Sequence, residues 1–254
     1  MRTASTAPRR RAARGNDGWS FPDLVVETWG DFACFTRPEL KAERVSYQVM
    51  TPSAAEGLLR AIFWKPQFQY VIRRIEVLEP IRWMLVRRNE VQSVISPQRV
   101  KALRAGAAER YDVEEDRDQR STMGLRDVRY RIHAQIVVDP KARAGSGKYP
   151  AASEEKYRDQ LRRRVERGAC FSQPFFGCRE FTAHFGAAEV ERRPIAHSEE
   201  FGVMLHSIAY TSQGERYQWF RAALDGGVLE VTDPLADDAV AMPHGPWRSD
   251  GAEG

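Results

Sequence analysis

The stretch "ERVSYQVMTPSAAEGLLRAIFWKP", Glu43–Pro66, contains a short extended piece, a helix with both ends marked, and a stop. Thr51 suits an N-cap and Pro52 the first helical position. Ala54, Ala55, Leu58, Leu59, Ile62 and Phe63 recur at helical spacing to form one apolar face. Pro66 pushes Lys65 away from helical geometry and closes the helix. The extended piece carries Tyr47 beside Ser46 and close to Arg44. A hydroxyl-bearing aromatic among cations, leading into a buried helix, raises the question of what it is for.

On either side of this stretch lie strands. Leu24–Trp29 reads as one, closed by Gly30, and Phe68–Leu78, rich in Ile, Val and Tyr, as another. Pro80 interrupts, and Ile81–Arg88 returns as a further strand. Residues 89–119 are polar, charged and poorly periodic, and read as an insertion with one short helix near Pro97–Leu103. Arg126–Val138 alternates most clearly: Val128, Tyr130, Ile132, Ala134 and Ile136 point one way, and Arg129, Arg131, His133 and Gln135 the other. The first set is core. The second reads either as an ordinary solvated face or as one that meets phosphates.

"KARAGSGKYPAA" reads as a Gly/Ser link. After it, Ser153 can cap a second helix, Glu154 and Glu155 suit its positive end, and Gly168 suits its exit. Its apolar stripe is narrow (Tyr157, Leu161, Val165), and Arg158, Arg162, Arg163, Arg164 and Arg167 cover much of the remainder. Phe175–Phe185 reads as a strand. Phe201–Ser212, Tyr217–Leu224 and Val228–Thr232 follow as a meander. The order β-α-β, insertion, β-α-β predicts an α+β chain: a ferredoxin-like split βαβ unit followed by a small antiparallel sheet. The expected divisions are an Arg-rich disordered arm over 1–20, the ferredoxin-like domain over 21–186, the β region over 187–232 and an acidic tail over 233–254.

Composition narrows the function. A chain of 254 residues with 42% hydrophobic and 29% charged residues is that of a globular protein with ample core. No apolar run approaches a membrane span. Three cysteines, Cys34, Cys170 and Cys178, lack metal-ligand spacing and suggest reduced thiols in the cytoplasm. The arm from Met1 to Arg14 holds five arginines and no acid, whereas the tail from Asp225 holds seven acids and one base. The body between is modestly basic, which permits a nucleic-acid partner without demanding one. P-loop, dinucleotide-binding, nucleophile-elbow, HExxH and CxxC patterns are all missing, and no acidic cluster has the look of a two-metal site. His206 reads as core, His184 as exposed, and His197 and His244 as incidental loop residues. A reaction that suits such a surface is RNA cleavage by the RNA's own 2′-hydroxyl, for which Tyr, Lys, His and Arg are enough. Composition does not select it over plain binding.

Three blocks select further. "VVETWGDFACFTRPELKAERVSYQVMTPSAAEGLLRAIFWKPQFQYVIRRIEVLEPIRW", "QRSTMGLRDVRYRIHAQI" and "KYRDQLRRRVERGACFSQPFFGCREFTAHF" occur in this order. Together they resemble the CRISPR-associated Cas-five-d family of type I-C systems over most of Leu24–Phe185, more loosely to about Val231. The resemblance implies a ferredoxin-like (RRM-like, RAMP superfamily) domain with a C-terminal β region. It implies a metal-independent, cofactor-free endoribonuclease that cuts precursor CRISPR RNA at the 3′ base of the repeat hairpin. Attack by the 2′-hydroxyl would leave a 2′,3′-cyclic phosphate. The protein would then stay on the 5′ handle of the guide, with a Cas-seven-type backbone subunit and a Cas-eight-type large subunit as partners and no membrane. The alternative is a non-catalytic subunit that only holds the handle. The family's tyrosine, lysine and histidine fall on Tyr47, Lys156 and Tyr157, the last a departure from histidine. Arg37, Lys41, Arg44, Arg120, Arg162 and Arg163 are the expected RNA contacts.

Overall fold

A computed structural model describes residues 19–40, 43–107, 112, 114, 116–145, 151, 153–212 and 214–235. The arm over 1–18, Lys41, His244 and the tail beyond 235 lie outside these. The elements run β1 (Leu24–Ala33), β2 (Arg44–Val45), α1 (Pro52–Ile62), β3 (Phe68–Val77), β4 (Trp83–Val91), α2 (Pro97–Arg104), β5 (Arg117–Val138), α3 (Pro140–Ala144), α4 (Glu154–Arg167), β6 (His184–Gly186), β7 (Glu199–Thr211), β8 (Gly214–Asp225) and β9 (Val228–Glu230). The architecture is mixed α/β, dominated by one curled, mainly antiparallel sheet in the order β6-β1-β5-β3-β9-β8-β7. β4 and the short parallel β2 add to the far half of β5. Among the described residues no helix is long and apolar enough to cross a membrane.

α1 forms as its sequence dictates. The Thr51 side chain accepts a hydrogen bond from the Ala54 N–H at 3.2 Å, Pro52 opens the first turn, and Leu58, Leu59 and Ile62 are buried. α4 ends on Gly168 in the left-handed conformation, as expected, but Ser153 makes no side-chain cap. The two helices pack on one side of the sheet, over Leu24, Val26, Tyr130, Ile132, Ile72 and Ile75. The alternation of β5 therefore marks the core face correctly.

Its opposite face is neither solvated nor open to phosphates. Arg131, His133 and Gln135 are buried. Arg131 bonds Glu76 at 2.6 Å and donates to the carbonyls of Glu189 and Arg192 at 2.7 and 2.8 Å; Arg129 bonds Glu27 at 2.6 Å and Glu189 at 3.0 Å. The charged face is a clamp that holds the 187–195 segment down. Losing one partner of so enclosed a pair typically costs about 3–5 kcal/mol, because a buried charge is left uncompensated.

Three other expectations change. The hairpin of β4 and β5, paired from Trp83↔Leu125 to Val91↔Arg117, runs into both ends of the expected insertion, so that 89–91 and 117–119 are strand, while the short helix expected near Pro97–Leu103 is α2. Phe175–Phe185 is not a strand; only His184–Gly186 pairs with β1, after an isolated Phe175↔Thr182 bridge. Gly177 explains why: at φ 80° it lies so close to β1 that a Cβ would stand 2.0 Å from the Cys34 carbonyl oxygen. The C-terminal strands, finally, continue the main sheet through β3–β9 pairing (Arg74↔Glu230 to Glu76↔Val228).

Candidate RNA-processing site

The chain delivers Tyr47 through β2. Val45 pairs with Met123 of β5, the Ser46 N–H donates to the Met123 carbonyl at 2.8 Å, and the Tyr47 N–H donates to the Phe35 carbonyl at 2.8 Å. The Ser46 hydroxyl fixes the corner, donating to the Tyr47 carbonyl at 2.6 Å and accepting from the Phe35 N–H at 2.9 Å. Tyr47 is only 2% exposed, beneath the Arg37 guanidinium, 4.5 Å above its ring. Arg37 in turn lies 3.7 Å from Glu39. The Tyr47 hydroxyl sits near the Leu205 backbone but has no hydrogen bond of good geometry among the described residues. Burial, with Glu39 nearby, pushes it up to about 12, against the smaller opposing effects of the Leu205 backbone and Arg37. At neutral pH it is a proton donor rather than a base.

Beside this corner the sheet gathers charge. Cross-strand pairing sets Arg88 opposite Arg120 and Glu90 opposite Asp118, and Arg44 lies across Thr122 on the other side of β5. Arg44 approaches Glu180 at 3.2 Å and Glu90 at 3.6 Å. Arg88 bonds Glu180 directly, and reaches Glu90 at 3.3 Å and the Thr122 hydroxyl at 3.1 Å. Arg120 meets Asp118 at 3.4 Å. Against the opposing effect of burial, its own backbone N–H and the Arg88 and Arg44 guanidinium groups hold the Glu180 carboxyl below its ordinary value. Cys178 joins the group: its Sγ lies 3.6 Å from Arg44 Nη1. A hydrogen bond with Cys34, aided by Arg44, lowers the Cys178 thiol to about 6 despite burial and Glu180.

The other expected residues lie on α4. Lys156 is exposed in the first turn. Tyr157 is 8% exposed, its ring packed on Phe68 (centroids 4.9 Å apart) and Phe63 (6.2 Å). Arg162 and Arg163 are exposed; Arg162 pairs with Asp159 at 3.0 Å. Two arginines expected on this solvated face turn inward. Arg158 is buried against Glu154, Gln135 and the Pro22 carbonyl, and Arg164 donates to the Ile62 carbonyl at 3.0 Å.

Tyr47 and Lys156–Tyr157 are therefore not brought together. Tyr47 hangs beside Met123, whereas Tyr157 packs on Phe68, which pairs with Val138. Met123 and Val138 are about 50 Å apart along an extended strand, shortened here by the curl of the sheet. α1, about 16 Å long, also lies between Tyr47 and Tyr157. A first cluster holds Arg44 and Arg120, with Tyr47 three residues along the chain from Arg44 and beneath Arg37, and a second, on α4, holds Lys156, Arg162 and Arg163 beside the packed Tyr157. Sequence reading missed Arg88, Glu90, Glu180 and Cys178 in the first cluster. The alternation of Arg88 with Glu90 across the expected end of β4 was the available signal. Among the described residues no group of three or more His, Cys, Asp or Glu is placed to hold a metal.

Residues 23–234 match a family described as CRISPR-associated protein (Cas_Cas5), in its Cas5d branch. The chain belongs to the Cas5d family. A relative from Mannheimia succiniciproducens, named CRISPR pre-crRNA endoribonuclease Cas5d, is 42% identical over 226 residues, covering 85% of this chain and 97% of its own. A protein of the same name from Thermus thermophilus is 40% identical over 193 residues, 76% of each chain. The crystal structure of a CRISPR-associated protein, 20% identical, superposes with a TM-score of 0.58 over 83% of this chain and 92% of that one. That likeness bears on the fold alone. The two stronger matches establish the Cas5d family independently of it.

Proposed function

We propose that this Cas5d protein is a cytoplasmic endoribonuclease that cuts precursor CRISPR RNA at the 3′ base of the repeat hairpin. It then remains on the 5′ handle of the guide, in a type I-C interference complex with Cas-seven-type and Cas-eight-type subunits. The observation that carries this is the 42% identity spanning 97% of a relative named as a pre-crRNA endoribonuclease. We also read β6-β1-β5-β3, with α1 and α4 as crossovers, as a ferredoxin-like core, because it reproduces the strand order of a split βαβ pair.

In this reading the 2′-oxygen gives up its proton to water and attacks the adjacent phosphorus, the 5′-oxygen leaves and takes up a proton, and a 2′,3′-cyclic phosphate and a 5′-hydroxyl result, without a metal. Arg44, Arg88 and Arg120 stabilise the charge that builds on the phosphoryl oxygens. The Tyr47 hydroxyl, protonated at neutral pH, positions the 2′-oxygen by hydrogen bonding or donates to a phosphoryl or leaving oxygen; its high pKa makes it unsuitable for removing the 2′ proton. An enclosed hydroxyl without a partner costs about 1–3 kcal/mol, which fits a group whose partner arrives with the substrate. Arg37, lying over the ring, must move for the RNA to reach it. Lys156, Arg162 and Arg163 contact phosphates farther along the same RNA, and Tyr157 packs.

A second reading, a handle-binding subunit that does not cut, is favoured by the separation of Lys156 and Tyr157 from Tyr47. One experiment decides: incubate the full chain with its cognate repeat RNA in excess chelator and map the product ends. Products ending in 2′,3′-cyclic phosphate, abolished by a 2′-deoxy nucleotide at the cut, support the enzyme. Tight binding without products supports the second reading. Cutting that needs added divalent metal and survives the 2′-deoxy substitution overturns the 2′-hydroxyl mechanism.

A further inference from the structure

Gln48, next in the chain to Tyr47, lines a cavity of about 400 Å³. Its lining has two chemistries. Ile81, Ile195 and the half-exposed indole of Trp83 are apolar; Gln48, His197 and Glu199 are polar. The polar three form one preset unit. Gln48 Nε2 donates to Glu199 Oε1 at 3.1 Å, and His197 Nε2 stands 3.1 Å from Glu199 Oε2. The His197 loop is itself fixed. Its carbonyl accepts from the Gly227 N–H at 2.8 Å, and Gly227 at φ 79° packs so tightly that a Cβ would stand 2.3 Å from the Ile195 carbonyl oxygen. His197 and then Gln48 hold the Glu199 carboxyl below its ordinary value, so it is a carboxylate at neutral pH.

A fixed carboxylate repels phosphate. In a protein that binds RNA, its use is at a base edge, where N–H donors face outward. A carboxylate has about four lone-pair sites on its two oxygens. Gln48 and His197 occupy one on each oxygen, and one on each remains. Two parallel acceptors match a base edge carrying a ring N–H beside an exocyclic amine. Guanine offers that pair, through N1–H and N2–H. An aromatic wall and apolar floor beside such acceptors is how unpaired bases are held, stacked on a ring and read on the Watson–Crick edge. We infer that this cavity binds one unpaired guanine of the RNA, stacked against Trp83 and read by Glu199, whose partner Gln48 is one residue along the chain from Tyr47. The inference rests on the RNA-binding reading above and adds a base-specific subsite to it.

The test uses the full chain and three unstructured octamers: oligouridylate, the same with one central guanosine, and the same with inosine, which lacks the exocyclic amine. Binding is read by anisotropy at fixed salt. The guanosine octamer should bind about tenfold more tightly than oligouridylate, the scale of one bidentate base contact, with inosine between. Glu199→Gln, which sets an amide donor against the base's donors, should collapse that ratio to near unity. Trp83→Ala should lower it, and Trp83→Phe should restore it. Equal affinity for all three octamers, or a preference that survives Glu199→Gln while salt-sensitive binding of oligouridylate continues, overturns the guanine subsite and leaves the RNA-binding reading standing. If no octamer and no repeat RNA binds, the RNA-binding reading fails and the subsite falls with it.

Discussion

At the N-terminal end of α1 the cations are already occupied. Arg44 and Arg88 share Glu180 and Glu90, Arg120 leans on Asp118, and Arg37 covers the Tyr47 ring. At the C-terminal end, α4 turns Lys156, Arg162 and Arg163 to solvent and keeps Tyr157 for the aromatic core. The difference is one of preorganisation. Paired arginines on a sheet have their geometry set before RNA arrives, and the acids hold places that phosphates can take. Cations on an exposed helix contribute charge without fixed direction, and their local pairs are worth about 1 kcal/mol or less. The first arrangement suits a reacting phosphate and the second suits the backbone of a bound strand.

The largest effect expected is on the packing side of this contrast. Tyr157→Ala should destabilise the protein by about 3–5 kcal/mol, the usual scale for removing an aromatic ring from a core. Tyr157→Phe should stay within about 1 kcal/mol by urea denaturation and cleave repeat RNA at close to the parental rate. A stable Tyr157→Ala that fails to cut would reverse the contrast and return Tyr157 to the chemistry.

Tyr47→Phe is the mirror image. It keeps the ring beneath Arg37 and deletes a buried hydroxyl that has no good partner, so folding stability should hold or rise slightly. The single-turnover cleavage rate should nevertheless fall about 100-fold, with hairpin affinity nearly unchanged. With a hydroxyl pKa of about 12, the parental rate should show no inflection from Tyr47 between pH 6 and 9. Parental cleavage by Tyr47→Phe removes this residue from the site.

What the sequence made legible follows from where its signals are local. Thr51, Pro52 and Pro66 mark α1, and the marks suffice because capping and proline sterics act within a few residues. The apolar alternation of Val128 to Ile136 marks the core face for the same reason. The polar alternation misleads. Nothing local reveals that Glu189 and the Arg192 carbonyl, some sixty residues away, will cover Arg131. Phe175–Phe185 has strand composition, but Gly177 bends it onto Cys34. The grouping of Tyr47 with Lys156 failed similarly: each stretch is recognisable alone, but only the crossing of α4 over the far end of α1 decides their separation.

Salt dependence should separate the two clusters by a smaller margin. Each phosphate neutralised on a single strand contributes a slope of roughly −0.7 in log affinity against log salt. Arg162→Ala with Arg163→Ala should flatten the slope of repeat binding by about 1 to 1.4. Glu180→Gln should act the opposite way, releasing Arg44 and Arg88 from their acid and steepening the slope. A flatter slope in Glu180→Gln would mean the acid positions the arginines for RNA rather than holding the place of a phosphate.

The smallest effect is a chemical report from within the arginine cluster. The Cys178 thiol, lowered to about 6 by its hydrogen bond with Cys34 and by Arg44, is mostly thiolate at pH 7.5. An ordinary cysteine, near 8.5, is mostly thiol there. Alkylation of Cys178 should rise through pH 6 and level off above about 7, while an ordinary thiol is still rising. The plateau should be modest, because a thiolate of low pKa is a weaker nucleophile and this sulfur is only partly accessible. Arg44→Ala removes the guanidinium 3.6 Å from the sulfur and should shift the midpoint upward by a few tenths of a unit or more. Bound repeat RNA gives the sharper version. If a phosphate takes Arg44 from Cys178 and Glu180, the midpoint rises in the same direction as in Arg44→Ala. RNA binding that leaves the midpoint unmoved would put the scissile phosphate elsewhere than on the Arg44 cluster, and with it the contrast between the two ends of α1.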